Sequence, residues 1–168
     1  ITSLLVVLIP GTGVIYTVSN GLFVGRMASV AAAFGCTAGI VPHLAASICG
    51  LSAILHMSAV AFQAVKFIGA AYLIYLAWCM WRDKGALSFN TPTEKRGLKQ
   101  IAVRGFLINI LNPKLSIFFL AFLPLFTSPD GAISPFIQMA LLSFIFMGMT
   151  LIVFLFYGVA AHTVRSYI

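Results

Sequence analysis

The chain has 168 residues, of which 61% are hydrophobic and only 8% charged. An ordinary soluble domain carries about a quarter charged residues, so that class is excluded. The formal net charge of +7 is not a nucleic-acid footprint, because most of the basic residues fall in one loop. Continuous apolar runs of about 20 residues predict an all-α membrane protein rather than barrel strands. Cys36, Cys49 and Cys79 all lie in apolar runs with no CxxC pair, which predicts buried free thiols.

The first predicted span runs from Ile1 to about Val24 and is interrupted by Pro10, Gly11, Thr12 and Gly13. Two glycines and a proline in four residues break a helix. The chain starts without Met and is apolar at once, so the start of this span is expected to be missing. Gly25 and Arg26 mark its exit. The second span covers Ala28 to about Leu55. Gly35, Gly39, Pro42, His43, Ala46 and Gly50 recur along it at helical spacing, which predicts a face packed on protein. The third span, Ala59–Trp81, carries Gln63 and Lys66 near its start and aromatic anchors near its end.

Residues 82–104 form the only long polar loop, with six basic residues against Asp83 and Glu94. An excess of Lys and Arg stays in the cytoplasm, which places this loop inside and the N-terminus outside. The fourth span, Gly105–Phe126, holds Asn109, Asn112, Pro113 and Lys114 in its first half. Asn109, Asn112 and Ser116 fall at i, i+3 and i+7, on one face of a continuous helix. An unpaired polar group in hydrocarbon costs several kcal/mol, so this cluster needs protein partners or a water-filled cavity. The fifth span runs from Phe136 to about Tyr157.

Spans one and four both break after an apolar half, and they start on opposite sides of the membrane. The expected architecture is about five helices of a six-helix inverted 3+3 repeat within a single transporter domain, residues 1–168. Half one is residues 1–81, and the incomplete half two is 105–168. One span is expected to be lost beyond Ile168, or the chain to be a fragment. Matched broken helices are the sequence pointer to a transporter site near the midplane.

PGTG at 10–13, GR at 25–26, Gly35 and Gly39 followed by His43, KFIGAAYLIYL at 66–76, GFLINILNPK at 105–114 and FFLAFLP at 118–124 occur in that order. In these motifs the chain resembles the LysE/RhtB family of bacterial amino-acid exporters. Thr12 stands where the family usually has the second proline of P-G-P, and the family's usual sixth span is expected to be missing. The resemblance implies proton-driven export of amino acids or small derivatives across the inner membrane, with no cofactor. Amino acid, protons and lipid are the implied partners, and a homodimer is compatible with the pattern.

The candidate substrate-binding residues are Pro10, Gly11, Thr12, Gly13, Lys66, Asn109, Asn112, Pro113 and Lys114. A half-helix N-terminus at the first break carries partial positive charge suited to a carboxylate. The structural alternative is a packed kink, and for Lys66 and Lys114 a snorkelling side chain. Asp83, Glu94 and Asp130 all lie in loops, so His43 is the candidate for proton coupling. Three other functions compete with amino-acid export. Export of a metal or other cation lacks membrane carboxylates and paired Cys/His ligands. An intramembrane enzyme lacks a GxSxG, an HExxH or paired acids. A scaffold subunit would not need two matched helix breaks.

Overall fold

The computed structural model describes residues 2–8, 11–82, 97–129 and 131–165. Among these the chain is helical throughout, with eight helices and no strand. They are α1 (Thr2–Leu8), α2 (Thr12–Phe23), α3 (Arg26–Ala38), α4 (Val41–Met57), α5 (Ala59–Arg82), α6 (Leu98–Ile110), α7 (Pro113–Leu125) and α8 (Pro135–Arg165). Among the described residues two stretches are long and apolar enough to cross a membrane, Arg26–Met57 with 32 residues and Pro135–Arg165 with 31. The pair α6 and α7 adds a third if it is one bent span. The protein is an all-α membrane protein.

The first predicted span is divided between α1 and α2 at the expected place, and Pro10 lies outside the described residues. The second is also divided, into α3 and α4 at Gly39–Ile40. Pro42 explains this second break, since it has no N–H to give the Ala38 carbonyl. The Ile40 N–H turns to the Thr37 carbonyl, three residues back, at 3.1 Å. In a regular helix it would bond to Cys36, four residues back. The fourth span is interrupted at Leu111–Asn112, with Pro113 as the first residue of α7, where its missing donor is harmless. The helix before that break starts at Leu98, inside the stretch expected to be loop. Most of that loop, residues 83–96, lies outside the described residues.

The chain forms two compact units. One comprises Ile1–Val41, Leu87–Leu111 and Ile145–Ile168, and the other Pro42–Ala86 and Asn112–Phe144. In the first unit α3 and α6 cross through small residues. A Cβ at Gly35 would run into the backbone of Ala102, and one at Gly105 would lie 3.0 Å from the Cys36 sulfur. Lipid tails are as apolar as leucine, so close backbone approach rather than burial holds such helices together. The Tyr16 hydroxyl donates to the Ile101 carbonyl at 3.0 Å and ties α2 to α6. Gly158 of α8 sits against Ser29 and Thr17. Gly25, between α2 and α3, has φ 133° and ψ 179°, a conformation open essentially to glycine alone.

In the second unit α5 and α7 meet at Gly69, where a Cβ would lie 2.7 Å from the Ala121 Cα. Phe118, Phe119, Phe122 and Phe126 form successive ring contacts along α7. Pro124 lies within the last turn of α7, and the Thr127 hydroxyl donates to the Leu123 carbonyl at 2.8 Å.

The predicted small-residue face of the second span packs only in part. Gly35 and Gly39 press on α6, whereas Ala46 is exposed and Gly50 has open space around it.

Candidate functional site

The break between α1 and α2 is finished differently on its two sides. The last carbonyl of α1, that of Leu8, accepts a hydrogen bond from the Tyr157 hydroxyl at 3.0 Å. The first turn of α2 has Gly11 as its N-cap, and among the described residues no side chain caps its N–H groups. A Cβ at Gly11 would meet nothing within 4 Å, and Thr12 is exposed.

Gly13 is buried one residue further on. A Cβ there would lie 3.0 Å from the Phe154 ring and 3.3 Å from the Asn109 Nδ2. The Gly13 carbonyl accepts from the Thr17 hydroxyl at 2.9 Å, and the Cys36 thiol approaches it at 3.9 Å. Asn109, 4% exposed, donates from Nδ2 to the Cys36 carbonyl at 2.7 Å. That carbonyl is the one released by the turn of Ile40. One amide therefore bridges α6 to the end of α3 and lies beside the first turn of α2. The arrangement can hold an acyl group, because uncapped N–H groups and the helix dipole favour an oxygen acceptor there.

The second unit carries a separate polar pair. His43, in the first turn of α4, shares a hydrogen bond of 2.7 Å with the Ser116 hydroxyl of α7, and the imidazole is 7% exposed. Lys66 is half-buried, one turn before the Gly69 contact. Asn112 is half-buried at the start of α7. The side chains of Pro113 and Lys114 lie outside the described residues.

Asn109, Asn112 and Ser116 do not share one helical face. The break at Leu111–Asn112 puts Asn109 on α6 and Ser116 on α7, because the i, i+3, i+7 rule holds only along an unbroken helix. The structure instead joins Asn109 to Gly13 and Cys36, and His43 to Ser116.

Sequence reasoning missed Tyr157, Phe154, Thr17 and Thr37. Three buried side-chain atoms have no hydrogen-bond partner among the described residues: Thr37 Oγ1, Ser143 Oγ and His162 Nδ1. Among the described residues no group of three His, Cys, Asp or Glu is placed to hold a metal ion.

The family model for LysE type translocators matches residues 4–168. The chain belongs to that family. A homoserine/homoserine lactone efflux protein of Salmonella typhimurium is 32% identical to this chain, over 91% of the chain and 71% of that protein. A membrane protein of Vibrio cholerae described as uncharacterized is 35% identical, over 77% of the chain and 63% of its own length. The membrane protein YrhP of Bacillus subtilis, also described as uncharacterized, is 30% identical over 90% of the chain and 76% of its length. The chain thus spans about two thirds to three quarters of the length of these relatives. No solved structure matches it.

Proposed function

We propose that this translocator exports amino acids or small amino-acid derivatives from the cytoplasm across the bacterial inner membrane, by exchange for protons. The observation that carries the reading is the break between α1 and α2. The last carbonyl of α1, that of Leu8, accepts from Tyr157, and the start of α2 has no side-chain cap and lies beside Asn109. A membrane protein leaves backbone donors uncapped only where something other than lipid meets them. Family membership and the Salmonella relative, named for homoserine and its lactone, support the same substrate class.

In this reading Pro10, Gly11, Thr12 and Gly13 line the acyl end of the substrate. Asn109 fixes the break, and Asn112, Pro113, Lys114 and Lys66 are further substrate-binding candidates in the second unit. The two breaks are related by an inverted repeat. In chain order α1 and α2 correspond to α6 and α7, and the 32-residue stretch α3–α4 to the 31-residue α8. Residues 82–104 are cytoplasmic and the N-terminus is outside.

The test is efflux. Cells loaded with a homoserine-containing dipeptide should release homoserine faster when they express the chain. Release at the rate of empty-vector cells would refute the proposal.

His43 is proposed as the proton-coupling group. Its imidazole is buried on Ser116, and an imidazole can both take up and release a proton. Glutamine keeps a hydrogen bond to Ser116 but does not titrate. In proteoliposomes, His43→Gln should retain amino-acid binding while efflux becomes independent of external pH. Normal, gradient-driven efflux by the variant would move the coupling group elsewhere.

A further inference from the structure

The hydroxyl of Thr37 stands out from the other buried threonines. Thr17, Thr127 and Thr150 each donate to the carbonyl four residues earlier, at 2.8–2.9 Å. That back-bond is the usual way a helix absorbs a threonine in an apolar setting. Thr37 is 6% exposed, and its hydroxyl has no hydrogen-bond partner among the described residues. A buried polar group without a partner costs free energy, and its persistence in a membrane helix points to a ligand.

The helix face of α3 says where that ligand sits. Ala33, one turn before Thr37, packs in one cluster with Val14 and Phe154. Cys36, the residue before it, points its thiol at the Gly13 carbonyl. Thr37 therefore lies on the side of α3 that covers the first turn of α2. That turn is the uncapped one, with open space at Gly11. The unpartnered hydroxyl is thus one residue along α3 from the thiol that meets Gly13, in the first turn of α2, where no side chain caps the N–H groups.

We propose that Thr37 is a substrate-binding residue. Its hydroxyl donates to an acyl oxygen of the transported amino acid or lactone, while the N–H groups at the start of α2 hold the same acyl group. A donor set of this kind accepts a carboxylate and, more weakly, an uncharged lactone carbonyl. One site can thus take both members of an amino-acid and lactone pair. This inference rests on the export reading above and adds a residue that discriminates between the two acyl forms.

The purified full chain, in detergent, would be titrated with L-homoserine and with L-homoserine lactone. Thr37→Val removes the hydroxyl at nearly constant shape, and Thr37→Ser keeps it. A hydrogen bond to a charged acceptor corresponds to roughly a 10- to 150-fold change in affinity, and one to a neutral acceptor to about 2- to 10-fold. Thr37→Val should weaken homoserine binding by the first factor and lactone binding by the second, so the preference for the acid shrinks. Thr37→Ser should restore most of it. The unliganded Thr37→Val protein should melt no lower than the native chain, since it loses no partner. Native-like binding by Thr37→Val would overturn the assignment of Thr37 and leave amino-acid export standing. A lower melting temperature with unchanged affinities would make Thr37 structural. Failure of the native chain to bind either compound would overturn the assignment together with the export reading.

Discussion

Gly35→Ala is expected to lower the stability of the protein. The added Cβ would overlap the oxygen, carbon and Cα of Ala102. All three are backbone atoms of α6, so no rotamer change relieves the clash and the helices must separate. Overpacking of this kind costs about 1–3 kcal/mol in soluble cores. The loss is compounded here, because close approach is what associates helices in lipid. Separation would also pull Asn109 from the carbonyl of Cys36, the next residue of α3. Unfolding of the purified protein in mixed micelles should show the drop for Gly35→Ala and none for Gly50→Ala, whose Cβ meets nothing within 4 Å. Replacing Ala102 by glycine should not rescue Gly35→Ala, since the clash is with backbone and not with the Ala102 methyl.

Asn109→Leu is expected to remove efflux and destabilise the chain together. Leucine has about the same bulk but no donor. The Cys36 carbonyl, already released by the Ile40 turn, then has no amide to accept from. An unsatisfied buried acceptor costs about 1–3 kcal/mol, or roughly 5- to 150-fold in an equilibrium constant. The same amide borders Gly13, so its loss also loosens the wall of the first break. Micellar unfolding and dipeptide-driven efflux measured on the same variant would report both effects. A variant that unfolds and exports like the native chain would remove Asn109 from the site.

Two of the three interruptions were legible in the residues. Pro10 with Gly11 and Gly13 announces the first, and Pro113 the third. The interruption at Gly39–Ile40 was hidden, because Gly39 also reads as one element of a small-residue packing stripe. It does pack, against Phe106 and Asn109, and it breaks the helix as well. The start of α6 was hidden by charge. Lys99 and Arg104 read as loop, yet Ile101 and Gly105 are buried on the opposite side of the same helix. The pairing of Asn109 with Cys36 was not legible, because a released carbonyl leaves no mark in a sequence. Nor was Thr37, since a threonine in an apolar helix is silent until its back-bond is seen to be missing.

The central claim is that substrate meets the uncapped start of α2, and substrate protection of a thiol at Gly11 tests it most directly. Gly11 has an ordinary extended backbone, φ −99°, and open space, so Gly11→Cys fits without strain. Cys49, exposed in the native protein, would be replaced by serine, and labelling of the Gly11→Cys chain compared with that background. Saturating homoserine should slow the reaction of the Gly11→Cys thiol with a small methanethiosulfonate reagent. It should leave unchanged the labelling of a cysteine placed at Met57, at the exposed end of α4. A labelling rate at position 11 that ignores homoserine, in a chain that still exports it, would contradict the account.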